Sequence, residues 1–137
     1  MPIDEARRIR NERKSRILTQ AESTAAICEG ISRFQEEYMG WGAEQIHAHF
    51  IKDALVVRIF GVLTLAERQL AKSSSPEKGR NLIKQVREQL LELARPMLVS
   101  LVHEVAGVKV LSMHHDISTV TAEEVVVFSL AAAPRFG

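Results

Sequence analysis

Apolar residues in the first third of the chain recur at the three- and four-residue spacing of an amphipathic helix. Ile17, Ala21 and Cys28 belong to this series, which predicts one long helix, or two joined helices, over residues 4–38. Glycine accepts the left-handed conformation that closes many helices, so Gly40 is predicted to end the helical segment. Cys28 is expected to be a small core residue.

The hydrophobic period then changes from helical spacing to strict alternation. Apolar and polar residues alternate over residues 45–50, as they do in half-buried strands. Over residues 55–60, Leu55, Val57 and Ile59 alternate with Val56, Arg58 and Phe60. A short polar turn lies between the two segments. The pattern therefore predicts a β-hairpin.

Two helices and a second hairpin are predicted in the rest of the chain. Thr64 and Glu67 have the spacing of a capping box and begin a short helix that runs to about Lys72. A second helix begins at Pro76 and runs over residues 76–105, with a kink expected at Pro96. Its apolar positions predicted to face the core are Ile83, Val86, Leu90, Leu93 or Ala94, Met97, Leu101 and Val105. Residues 108–114 and 123–130 are predicted strands.

The predicted order is α-ββ-α-α-ββ, an α+β fold. Two hairpins and long helices favour a four-stranded antiparallel sheet covered by helices on one face. We expect a basic helical arm at residues 1–16, a single domain at 17–131 and a loose tail at 132–137. The last strand is apolar on both sides, which indicates an interface, and the predicted interface residues are Val126, Phe128 and Leu130.

Composition narrows the class of protein. The chain has 137 residues, a net charge of +1 and a single cysteine, so a disulfide framework within one chain is excluded. Its apolar runs are too short to span a bilayer, and the N-terminal segment lacks the apolar core of a secretory signal. We therefore expect a cytoplasmic protein without direct membrane insertion.

Seven polar residues are candidates for a ligand site on the sheet and in its last turn: His47, His49, Arg58, His114, Asp116, Ser118 and Thr119. If the hairpins paired suitably, His47, His49, His114 and Asp116 could form a nitrogen and oxygen metal site. The alternatives are solvated or strand-end histidines, an Arg58 paired with Glu123 or Glu124, and hydroxyls that shape the turn. No nucleophile elbow, phosphate loop or dinucleotide fingerprint occurs, so we expect no enzymatic activity and no cofactor.

The basic character of the first residues leaves a further alternative. Residues 1–20 carry six Lys and Arg against three Asp and Glu, which would suit nucleic-acid binding. The interleaved acidic residues and the lack of aromatic residues favour instead a solvated helix or a helix that pairs with its copy.

Several ordered segments resemble one bacterial family, the MpsC-like proteins. They are residues 34–42, 55–59, 61–68, 115–119 and 125–130, together with the Arg95-Pro96 pair. The resemblance covers about residues 16–131. It implies a small, soluble protein associated with a membrane system for bicarbonate or cation uptake, and it brings no catalytic residues.

Three hypotheses follow for function. The first is a homodimeric interaction or regulatory protein, with a membrane transport protein as a further partner. The second is a small-molecule or metal sensor that uses the sheet face. The third is nucleic-acid binding through the basic arm.

Overall fold

The computed structural model describes residues 7–8, 17–73 and 75–137. Most of the predicted basic arm, residues 1–16, lies outside the described residues. Within it, Arg7 and Arg8 are helical, and Arg8 Nη2 lies 3.6 Å from Glu29 Oε2.

Helix α1 spans Gln20–Arg33 and begins at a capping box between Thr19 and Glu22. Each side chain accepts a hydrogen bond from the other residue's backbone N–H group, which satisfies two donors at the helix start. The helix continues as a π-helical turn, Phe34–Tyr38. Gly40, at a φ of 74°, follows this turn, in agreement with the predicted glycine stop.

The four strands form one antiparallel sheet in the order β1-β2-β4-β3. Strands β1 (Gln45–Ile51) and β2 (Ala54–Phe60) form the first hairpin. Strands β3 (Val110–Ile117) and β4 (Glu123–Leu130) form the second hairpin. Because β2 pairs with β4, the two hairpins join at their second strands and leave β1 and β3 at opposite edges.

Helix α2 (Leu65–Ala71) begins at the predicted capping box of Thr64 and Glu67. Helix α3 (Pro76–Ala106) has proline at its start, contains Pro96 and ends at Gly107, whose φ is 72°. Helices α1 and α3 pack on the same face of the sheet, α1 on β1 and α3 on β3. The predicted α+β architecture and the predicted order of elements are confirmed. In the described part of the chain, no helix is both long enough and apolar enough to cross a membrane.

One face of the sheet and the helices enclose the core. The side chains that the strands direct into it include Ala48, Phe50, Leu55, Val57, Ile59, Met113, Ile117, Val126, Phe128 and Leu130. The last three were predicted as interface residues. That prediction is wrong for these residues because they are at most 2% exposed within a single copy of the chain. The outward side chains of β4 are Val125 and Val127, and these are partly exposed.

Helix α3 packs against the core with a side that differs in part from the predicted one. Ile83, Leu101 and Val105 are buried as expected, and of the two alternatives Leu93 and Ala94 it is Ala94 that is buried. Val86 is exposed, and Arg87, Leu91 and Leu98, which were not predicted, face the core. The helix has apolar residues on two sides, so its hydrophobic period alone did not identify the side that faces the sheet.

The C-terminal residues 132–137 were predicted to form a loose tail. Instead, Phe136 packs edge-on against Phe50, with 5.3 Å between the ring centroids, and Pro134 is buried. The Gly137 N–H group donates to the Leu18 carbonyl at 2.9 Å. The tail is therefore packed on the domain.

Candidate functional site

The face of the sheet that points away from the core, here called the open face, carries most of the predicted site residues. Its side chains are Gln45, His47, His49 and Ile51 from β1, Ala54, Val56, Arg58 and Phe60 from β2, Glu123, Val125, Val127 and Ser129 from β4, and Ser112, His114 and Asp116 from β3. Valines occupy its centre and are partly exposed.

The strand register sets the spacing of the histidines on the open face. One row across the sheet runs His49, Val56, Val127, His114, and the next runs His47, Arg58, Val125, Asp116. Two strands separate each β1 histidine from its counterpart on β3, a distance of about 14 Å at the usual strand spacing. The condition for a shared metal site, that the hairpins bring these four residues together, is therefore not met by this strand order.

Arg58 is bound to a carboxylate of the neighbouring strand. Its Nε donates to Glu123 Oε2 at 2.6 Å, and the guanidinium lies 4.9 Å from the centroid of the Phe60 ring. The hydrogen bond from Arg58 lowers the pKa of Glu123 and raises that of Arg58 itself. The structure thus favours the cross-strand pairing over an Arg58 that is free to hold a ligand.

Ser118 and Thr119 lie in the turn between β3 and β4. The Ser118 hydroxyl accepts a hydrogen bond from the Thr121 N–H group at 3.1 Å, and the Ser118 N–H group donates to the Glu123 carbonyl at 2.9 Å. Ser118 therefore shapes the turn, as the alternative interpretation of these hydroxyls predicted. Thr119 is partly exposed beside it.

Sequence reasoning missed a buried ion pair between α3 and β4. Arg87 Nη2 donates to Glu124 Oε1 at 3.1 Å, and Arg87 Nη1 lies 3.8 Å from Glu67 Oε2. Burial raises the pKa of Glu124, an effect that the adjacent Arg87 opposes. A signal was present in the sequence: Glu124 belongs to the same alternating series as Val126 and Phe128, and Arg87 lies four residues after Ile83.

A second polar cluster connects α3 to β3. Glu92 accepts hydrogen bonds from Arg95, with Nη2 at 2.7 Å and Nε at 3.0 Å, and its Oε2 lies 2.7 Å from His115 Nε2. The bonds from Arg95 and then from His115 lower the pKa of Glu92 to about 2. These contacts anchor the edge strand β3 to α3.

The exposed side of α3 carries an aliphatic row, here called the α3 stripe. It consists of Leu82, Val86 and Leu93, which are 46%, 53% and 73% exposed. At 3.6 residues per turn these three residues lie within about 40° of one another around the helix axis. Their alignment places three exposed apolar side chains along one line of the helix, with the exposed Gln89 between Val86 and Leu93, whereas singly exposed leucines are ordinary on protein surfaces.

Comparisons with known proteins connect this fold to a family. A family model described as Na+-translocating membrane potential-generating system (MpsC) matches residues 19–132. The chain is also 33% identical over 104 residues to YbcI of Bacillus subtilis (strain 168), described as an uncharacterized protein. That alignment covers 76% of this chain and 82% of YbcI. No solved structure matches the chain.

Proposed function

The chain belongs to the MpsC family, and from this premise we propose that it is a small, non-enzymatic cytoplasmic protein that self-associates. In this proposal the dimer is an accessory component of a Na+-translocating membrane system. The family description supports the link to such a system. The exposed apolar residues of the α3 stripe support self-association.

The α3 stripe is the observation that carries the proposal. Leu82 and Leu93 are eleven residues apart, so the stripe is about 16 Å long. An antiparallel pairing of two α3 helices, centred near Gln89, would set Leu93 of one copy against Val86 of the other. Such a contact is self-complementary, as a twofold dimer requires.

Burial of the α3 stripe between two copies would favour dimerisation by an amount comparable to the cost of association. Fully burying one exposed Leu or Val side chain is worth about 1.5–3 kcal/mol, and two copies contribute six such side chains. This gain has to exceed the lost freedom of two molecules, about 4–15 kcal/mol. A dimer held by the stripe alone is therefore expected to be weak, with further contacts needed for a tight one.

The open face is the second candidate surface. Val56, Val125 and Val127 are partly exposed at its centre, and a sheet face of this kind could hold a second copy or a small molecule. A ligand-binding sensor that uses this face is the alternative function. His47, His49, His114 and Asp116 would then contribute polar contacts at its two edges.

The experiment that tests self-association is light scattering on purified protein over a range of concentrations. We expect a dimer for the unaltered chain and a monomer for Leu93→Lys. Leu65→Lys is the matched control, because Leu65 is 71% exposed on α2 and lies outside the stripe; it should remain dimeric. If the dimer persists in Leu93→Lys and dissociates in Val127→Lys, the interface lies on the open face and not on the α3 stripe. A monomeric unaltered chain at every concentration would refute self-association.

The link to a membrane system needs a physiological test in the native host. We expect deletion of the gene to lower the Na+-dependent membrane potential, measured with a potential-sensitive dye. The unaltered gene should restore the potential and the Leu93→Lys gene should not. An unchanged potential in the deletion strain would refute the accessory role and leave self-association to be judged by light scattering.

A further inference from the structure

A cleft of about 350 Å³ lies where α2, the start of α3 and the turn between β3 and β4 meet. Three basic residues line it: Arg68 on α2, Lys72 at the end of that helix, and Arg80 in the second turn of α3. The turn contributes Thr119 and Thr121. Residues distant in sequence thus bring cations and hydroxyls to one concave surface.

The charge of the cleft is of one sign. Three cationic side chains line it, and none of its lining residues is acidic. Arg68 is in contact with one carboxylate, since its Nη2 lies 3.8 Å from Glu44 Oε1, but that glutamate side chain is 72% exposed. Solvent screens an exposed pair of this kind. Like charges gathered in one cleft repel one another, and a bound anion would relieve that repulsion.

The turn that forms one wall is held in a fixed conformation. Ala122 has a φ of 60°, which a side chain disfavours. Three backbone hydrogen bonds maintain it, because the Ala122 carbonyl accepts from Gly61 and Val62 at 3.1 Å and its N–H group donates to the Ser118 carbonyl at 2.9 Å. A wall held in this way loses little freedom when a ligand binds.

Arg68 is also oriented before any ligand arrives. Its Nε donates to the Leu63 carbonyl at 3.3 Å, which ties the guanidinium to the start of α2. Arginine presents several N–H donors in a planar fork, and lysine offers a mobile point charge. Two guanidinium groups and one ammonium group are a donor set suited to a multiply charged oxyanion.

We propose that this cleft binds the phosphate group of a small phosphate monoester. A monoester carries a charge of about −1.5 to −2 at neutral pH and three acceptor oxygens, which suits three cations better than a monocarboxylate does. Arg68, Lys72 and Arg80 neutralise the phosphate, and the Thr119 and Thr121 hydroxyls are additional donors. Leu63 and Val120, which also line the cleft, accommodate the organic group. The proposal is independent of self-association through the α3 stripe.

Isothermal titration calorimetry in a phosphate-free buffer tests the cleft, with phenyl phosphate, inorganic phosphate and benzoate as the three probes. We expect saturable binding of one phenyl phosphate per chain, weaker binding of inorganic phosphate and the weakest binding of benzoate. Added salt should weaken all three interactions. Phenyl phosphate is informative because it carries the proposed dianion on a compact apolar group.

Variants then assign the binding to the cleft. Arg80→Gln and Lys72→Gln should each weaken phenyl phosphate binding at least tenfold, which corresponds to about 1.4 kcal/mol. Lys109→Gln is the charge-matched control, because Lys109 is exposed just before β3, about 25 Å along that strand from the turn. Lys72 is itself exposed, so its variant tests binding without disturbing the fold.

Three results would overturn the proposal. They are no saturable binding of phenyl phosphate at millimolar concentration, unchanged binding in both cleft variants, and equal weakening in Lys109→Gln. Circular dichroism of each variant establishes that it is folded before it is titrated.

Discussion

Replacement of Arg87 by methionine tests the energetic role of the buried ion pair. Arg87 is 4% exposed and Glu124 is 1% exposed, so neither charge can be solvated by bulk water. Removing one partner of a buried pair leaves the other charge uncompensated, at a cost of about 3–5 kcal/mol. At about 4 °C per kcal/mol for a domain of this size, the unfolding midpoint of Arg87→Met should fall by roughly 12–20 °C.

The cost of the Arg87→Met substitution should depend on pH, because the remaining carboxyl can be protonated. Burial already raises the pKa of Glu124, and Arg87 opposes that rise, so the substitution should raise the pKa further. A folded-state pKa above the unfolded value means that the folded state binds the proton more tightly. Stability is then gained as the pH falls, and lost as it rises through the folded-state pKa. We therefore expect the destabilisation to be larger at pH 7 than at pH 5.

A double variant separates the charge effect from lost packing. Arg87→Met combined with Glu124→Leu removes both charges, and replacing a buried pair by apolar side chains is often neutral or stabilising. Urea unfolding at pH 7 and pH 5 measures all forms. Arg58→Met is the control, since its pair with Glu123 is on the open face and solvent screens it. A cost below about 1 kcal/mol for Arg87→Met, or a cost independent of pH, would refute this reasoning.

Three further predictions concern packing, thiol reactivity and an exposed carboxylate. Gly79→Ala should destabilise the protein by about 1–3 kcal/mol in urea unfolding, although alanine normally favours a helix, because the added Cβ would overlap the Leu70 carbonyl oxygen. Equal or greater stability would contradict the close packing of α2 on α3. Burial raises the pKa of the Cys28 thiol, so a thiol reagent at pH 8 should label Cys28 more slowly in the folded chain than in the urea-unfolded chain. Equal labelling rates would contradict the half-buried position of Cys28. In a carbon-13 NMR titration Glu92 should titrate with a pKa of about 2, and in Arg95→Gln this pKa should move towards 4.5. Because the folded-state pKa of Glu92 is lowered, its contribution to the stability of the fold is present above about pH 4.5 and is lost as the pH falls towards 2.

Features that depend on residues close in the chain could be predicted from the sequence. The capping box of Thr64 and Glu67 and the glycine stops at Gly40 and Gly107 are present as expected. The first hairpin also follows from the alternation of residues 45–50 and from the short turn that follows them. Each of these signals involves residues only a few positions apart, so backbone geometry and local hydrogen bonds suffice to specify them.

The alternative of a metal site depended on how distant elements pair, which the sequence does not specify. His47 and His114 were each placed on a strand correctly, but the sheet order puts their strands at opposite edges. Alternation fixes which residues of a strand share a face, and it does not give the neighbour of that strand. The basic cleft likewise unites Arg68, Arg80 and Thr119 from three elements, a set that no sequence spacing connects.

The sequence alone determined the types and order of the elements, because hydrophobic period and turn chemistry act locally. Tertiary structure decided which of two apolar sides each element buries. In β4, Val126 faces the helices and Val127 the open face; in α3, Leu91 is buried and Leu93 is exposed. A core of limited volume can accept only one side of each element. The sides left outside form the surfaces where a second copy or a ligand can bind.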